Sequence, residues 1–394
     1  MTISRRHVAR ALLAGAAAPW SALSFAGRAE RDDARLVLVI LRGGLDGLAA
    51  VPLPADAQFT AARGPLAQLP GEALPLDGAF ALHPMLPTLH ALYREQQLAV
   101  VHATGLPYRE RSHFDAQQVL ESGGQRPHEL ATGWLGRALA STHHKGLAVQ
   151  TAVPLVLRGP GEVDTWAPSV LPDPSADLVA RVERLYANDP PLAQALARAR
   201  GLREGGDMPG REGAMAGGGL RAQAQLLARR AGEFLQRPGG AQAAVLELSG
   251  WDTHANQALP QGPLTNNLRL LDASIATLRE VLSAAPETWS RTVVVIVTEF
   301  GREVAVNGTL GTDHGSGGAA FVLGGAVRGG RVIADWPGLA PKERYEGRDL
   351  RITTDLRAVF KTVLHDHLRV SRAALDAEVF PGAEGVKPLE LLRG

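Results

Sequence analysis

Six stretches of the chain are apolar at nearly every position. They are Leu36 to Leu41 in "RLVLVILR", "LAVVHATG" (98–105), "LAVQT" (147–151), "AAVLELSG" (243–250), "TVVVIVTE" (292–299) and "AAFVLGGAV" (319–327). A strand with one wet face alternates apolar and polar residues, so continuous runs predict strands covered on both faces. Between them the period changes. "LTNNLRLLDASIATLREVLSAA" places Leu268, Leu271, Ile275, Leu278 and Leu282 on one helical stripe. "HPMLPTLHALYREQQ" and "TTDLRAVFKTVLHDHL" read as helices too, and Ser112 is placed as the N-cap of "SHFDAQQVLES". Buried strands alternating with amphipathic helices predict an α/β fold, a three-layer α/β/α sandwich with a mostly parallel central sheet.

"GLREGGDMPGREGAMAGGG" (201–219) is rich in glycine and charge and has little to pack. It reads as a flexible insertion, because the strands on either side of it look alike; residues 30–394 are therefore expected to form one domain. The N-terminus differs from the rest. "SRRHVARALLAGAAAPWSALSFAG" carries Ser4-Arg5-Arg6, a mildly apolar Ala- and Gly-rich stretch, and small residues near Ala26 and Ala29. This register resembles a twin-arginine signal, so residues 1–29 are expected to be removed and the mature protein exported, with the twin-arginine machinery as a partner. The segment has too few consecutive strong hydrophobes for a membrane span.

Composition removes several function classes. With 41 basic and 40 acidic residues among 394, the net charge is +1, and there is no electrostatic footprint for nucleic acid. Cysteine is absent, which excludes thiol catalysis, disulfides and zinc–thiolate sites; any metal must be held by His, Asp, Glu or hydroxyl groups. No nucleotide cofactor is expected, because "GSGGAA" follows Asp-His rather than a strand and no Walker loop is present.

Ligands of open α/β sheets collect at the carboxyl ends of the strands. The polar residues there are Asp46 after the first run, Asp252 and His254 in "WDTHANQ", Glu299 after the late strand, and Asp313-His314 in a glycine-rich loop. Each has a plainer alternative: Asp46 as a turn cap, and Asp252 with His254 as a hydrogen-bonded turn. Together they form a candidate metal site of oxygen and nitrogen donors, suited to zinc, manganese, magnesium or calcium. Ser112 is either a helix cap or a nucleophile, with Arg109 and Arg111 as clamps for an anion. His143-His144, His365 and His367 have no ligand-like company and read as surface residues.

"LRGGLDGL", "RSHFDAQ", "WDTHANQ", "TEFGRE" and "GTDHGSGG", in this order behind a twin-arginine pattern, resemble the bacterial family catalogued as domain of unknown function 1501. That family is similar to the alkaline phosphatase and sulfatase superfamily. The resemblance implies an alkaline-phosphatase-like fold with metal at the strand ends. It assigns Asp46, Asp252, His254, Glu299 and His314 as ligands and Ser112 as nucleophile. The function it implies is hydrolysis of phosphate or related esters on a small anionic substrate. The alternative is a non-catalytic binding or assembly protein that keeps the fold with a degenerate metal site. Two departures bear on this. Glu299 is followed by Phe300 where Asp-His is usual, and with no cysteine or matching serine setting the sequence argues against a sulfatase.

Overall fold

The computed structural model describes residues 33–169, 174–204, 219–257 and 259–393. The twin-arginine segment and residues 205–218 of the stretch 201–219 lie outside them. Eleven strands occur among the described residues. These are β1 (Arg35–Arg42), β2 (Leu74–Pro75), β3 (Ala81–Leu82), β4 (Leu98–Gly105), β5 (Gly146–Ala148), β6 (Val163–Thr165), β7 (Ala243–Ser249), β8 (Thr292–Thr298), β9 (Gly318–Leu323), β10 (Arg331–Ile333) and β11 (Thr354–Asp355). The main sheet has the order β10-β4-β9-β8-β1-β7-β5-β6, with β11 beside β4; β2 and β3 form a small antiparallel pair.

β1 sits at the centre, parallel to β7 on one side and β8 on the other. Only β9 runs against its neighbours, antiparallel to both β8 and β4. The sheet is thus mixed but mostly parallel, with helices on both sides. Alternate residues of β1 explain its continuous apolar run. Val37, Val39 and Leu41 pack with Leu268, Leu271, Ile275 and Leu278 of the helix Pro263–Ser283. Leu36, Leu38 and Ile40 pack on the other face, against the helices His113–Ser122, Trp134–Thr142 and Leu356–Asp366. Both faces are dry, so neither tolerates a polar position.

The parallel registers bring three strand ends to one edge, since Arg42 pairs with Ser249 and Leu41 with Thr298. β4 runs in the same direction, so the chain leaving Gly105 for Ser112 also emerges there. The connection 299–317 between β8 and the reversed β9 begins and ends at that edge. It therefore holds Arg302, Asp313 and His314 next to residues that follow β7. One expectation needs correction here. His367 is half-buried rather than on the surface: its Nε2–H donates to the Arg35 carbonyl at 2.9 Å, and burial pushes its pKa down to about 4.

Candidate metal centre

Glycine permits the loops around this edge to close backbone on backbone. A Cβ on Gly301 would meet the Gly317 carbonyl oxygen at 1.8 Å, and one on Gly315 would meet the Arg302 carbonyl carbon at 2.4 Å. The tight pairing is visible in the bonds Gly315 N–H to Gly301 C=O and Glu303 N–H to Asp313 C=O, both 2.9 Å. This bridge fixes where His314 projects.

Three imidazoles converge on the result. The Nε2 atoms of His113 and His314 are 3.1 Å apart, as are those of His254 and His314. Asp252 faces all three: Oδ1 lies 2.9 Å from His254 Nε2 and 3.2 Å from His314 Nε2, and Oδ2 lies 3.4 Å from His113 Nε2. Ligand atoms of His113, Asp252 and His314 all fall within 4.8 Å of one another. Donors about 2.0–2.1 Å from a tetrahedral zinc are separated by about 3.3 Å, so the spacing fits a single cation.

The opposite nitrogen of each ring faces an acceptor. His113 Nδ1 is 2.8 Å from Glu299 Oε1, His254 Nδ1 is 3.1 Å from Asp313 Oδ1, and His314 Nδ1 is 3.0 Å from the Arg111 carbonyl oxygen. Carboxylates and carbonyls only accept, so each ring must carry its proton on Nδ1 and donate it. Glu299 is held below the ordinary carboxylate range. Its burial opposes ionisation, but hydrogen bonds from His113 and Gln117 outweigh that. Asp313 is lowered first by its hydrogen bond from Asn307. Both are therefore ionised acceptors. With Nδ1 of each ring facing an acceptor, Nε2 of His113 and of His314 is left turned toward Asp252 and toward each other, and Nε2 of His254 toward Asp252 and His314, a donor set that a cation can occupy.

Asp252 is oriented by a buried neighbour. Arg302 donates from Nη1 to Asp252 Oδ1 at 2.5 Å and from Nε to Thr312 Oγ1 at 3.2 Å. Partial burial works against ionisation of Asp252, but the Arg302 hydrogen bond and charge hold its pKa low. His314 is shifted down by burial, and His113 is shifted up by its hydrogen bond to Glu299.

The structure thus gathers Asp252, His254, Glu299, Asp313 and His314, and sorts them. Asp252, His254 and His314 offer donors to the centre; Glu299 and Asp313, expected as ligands, instead stand behind the histidines and hold their Nδ1 protons. Asp46 is a correction. Its carboxylate is 1% exposed and is paired with buried Arg63, accepts from Gln257 Nε2 at 2.6 Å, and caps a short helix by accepting from Ala49 N–H at 3.1 Å. Both carboxylate oxygens of Asp46 are thus engaged with Arg63, Gln257 and Ala49.

Arg109 and Arg111 also differ from the expected anion clamp. The Arg109 guanidinium donates to the Leu106 carbonyl, and Arg111 is spent on Asp349 at 2.8 Å and Glu346 at 2.5 Å. Ser112 is the N-cap, its Oγ accepting from Asp115 N–H at 3.5 Å. His113 is the donor that sequence reasoning missed. The signal was its place inside "RSHFDAQ", directly after the capping serine and on the helix that starts at the strand-end edge.

Residues 87–377 match the family model described as "Protein of unknown function (DUF1501)", and the chain belongs to that family. No curated protein matches the sequence. Among solved structures, the chain is similar to the sulfatase PsFucS1 from Pseudoalteromonas sp., with 14% identity, TM-score 0.42, and coverage of 89% of this chain and 70% of that one. It is also similar to a 2-O GAG sulfatase, with 10% identity, TM-score 0.43, and coverage of 90% and 73%. A third is the C-terminal periplasmic domain of EcEptC from Escherichia coli, solved with zinc, with 13% identity, TM-score 0.33, and coverage of 74% and 72%.

Proposed function

We propose that His113, His254, His314 and Asp252 hold one divalent cation, and that the protein is an exported, metal-dependent hydrolase of phosphate or related esters. The observation that carries this reading is the cluster of His113, Asp252 and His314, with His254 Nε2 3.1 Å from His314 Nε2 and Nδ1 of each ring facing an acceptor. Three nitrogen donors and one carboxylate suit zinc, with manganese next. Magnesium and calcium prefer all-oxygen shells.

A cation bound there would lower the pKa of a coordinated water and polarise an ester oxygen. The remaining work belongs to the chain. Glu299, Asp313 and the Arg111 carbonyl keep the imidazoles in one tautomer and orientation. Arg302 keeps Asp252 ionised. Asp252 and His254, with side chains 42% and 44% exposed, leave the centre open to a small anionic ester from solvent.

A second reading has an observation of its own. His254 Nε2 lies 3.1 Å from His314 Nε2, and if it joined His113, Asp252 and His314 the four protein donors would fill a tetrahedral shell, as in a structural rather than a catalytic site. That favours a binding or assembly protein. A panel of phosphate mono- and diesters separates the two. The hydrolase reading expects turnover that a chelator abolishes and added zinc restores; a zinc-loaded protein that turns over no ester on the panel supports the binding protein.

Export rests on the Ser4-Arg5-Arg6 pattern. Among the described residues no helix is long and apolar enough to cross a membrane. Exchange of Arg5 and Arg6 for Lys is expected to leave the protein inside the cell, and an unchanged exported yield would contradict the twin-arginine reading.

A further inference from the structure

A groove of about 290 Å³ is lined chiefly by Pro65, Leu66, Leu69, Leu259, Pro260 and Leu310, with Gln68 and Asn256 as its polar members. Backbone joins it directly to the centre. Ala255, the neighbour of His254, bridges Leu310, and Gln257 N–H donates to the Leu310 carbonyl at 3.0 Å. Thr309 Oγ1 donates to the His254 carbonyl at 2.6 Å. The wall of the groove and the presentation of His254 are therefore one piece of structure.

Folding does not account for the residues on that wall. Leu310 has φ 58°, a left-handed conformation that leucine adopts at a cost and that glycine or asparagine would take more readily. Its side chain is then left 44% exposed, and Leu259 opposite is 49% exposed. Neither backbone preference nor burial selects an apolar side chain at Leu310. Strain kept in that form, next to candidate ligands, points to a role in binding.

We propose that this groove is the subsite for an apolar group of the substrate, an aliphatic chain or aromatic ring carried by an anionic ester whose head meets the cation. The inference rests on the reading of the metal centre given above. A dry cavity of about 150 Å³ accommodates benzene, so the groove has room for one ring or a short chain.

Calorimetric titration of the zinc-loaded full chain with two hydrolytically inert anions, methylphosphonate and hexylphosphonate, tests it. Hexylphosphonate is expected to bind about tenfold more tightly or better, through burial of its chain. In the Leu310→Gly, Leu259→Ser double variant, with zinc content checked by elemental analysis, the ratio of the two affinities is expected to fall to about twofold or less. Leu310→Gly keeps the left-handed turn, so the fold is retained. Equal binding of the two anions by the wild type, or a preference that survives the double variant, overturns the subsite and leaves the metal reading standing. Binding of neither anion contradicts the metal-centred anion site and removes the subsite with it.

Discussion

His113 Nδ1 lies 2.8 Å from Glu299 Oε1, joining the first residue of a helix to the residue that follows a central strand 186 positions later. Glu299 is 1% exposed and also accepts from Gly43 N–H at 2.8 Å and Gln117 Nε2 at 3.0 Å. A buried carboxylate held this way orients the imidazole in front of it. Glu299→Ala is therefore expected to weaken zinc binding by about 10–100-fold, measured by competition with a chelator. Unchanged affinity in a folded variant would mean that the ring needs no such support.

Asp46 and Arg63 form a pair with side chains 1% and 0% exposed. Asp46→Ala leaves the guanidinium buried without its partner and is expected to cost about 3–5 kcal/mol in chemical denaturation. Zinc stoichiometry of the folded fraction should stay at the wild-type value. Loss of the metal with little loss of stability would restore Asp46 as a ligand.

Ser112→Ala should cost about 1 kcal/mol through loss of the cap, and Ser112→Asp should recover most of it. Ester turnover per folded molecule is expected to be unchanged in Ser112→Ala. Turnover abolished at intact metal content would instead make Ser112 the nucleophile.

His83 and His102 are buried and held neutral, each with its pKa lowered to about 4 by burial. His102 is fully satisfied as a neutral ring, its Nδ1 accepting from Ala103 N–H at 2.8 Å and its Nε2–H donating to the Val51 carbonyl at 3.2 Å. In the unfolded chain both rings take up protons near pH 6.5. Their contribution is thus complete above about pH 6.5 and is lost as pH falls towards about 4, at about 1.4 kcal/mol per pH unit for each ring. Denaturation midpoints between pH 7 and 4, with His102→Gln as comparison, should show a shallower fall in the variant.

The sheet was legible because β1 and β8 are dry on both faces and β7 nearly so, and their ends predicted where polar chemistry would gather. The reversal of β9 was not, because an apolar run has no direction. Asp252, His254 and His314 were legible as polar residues after strands or in a glycine loop. The division between donors and their supports was not. It depends on which nitrogen of each ring faces an acceptor, and those acceptors are 59 positions away for His254 and 186 for His113. Asp46 read as a ligand for a related reason: its partner Arg63 closes the helix Ala57–Arg63, and nothing in that helix announces a buried guanidinium.

Metal content tests the central claim most directly. Protein purified from the exported fraction and dialysed against metal-free buffer should retain about one zinc per chain by elemental analysis. His113→Ala and His314→Ala should each lose it while remaining folded by circular dichroism. Wild-type protein that holds no metal after incubation with zinc, or histidine variants that bind it as tightly as the wild type, would contradict a cation between these three imidazoles.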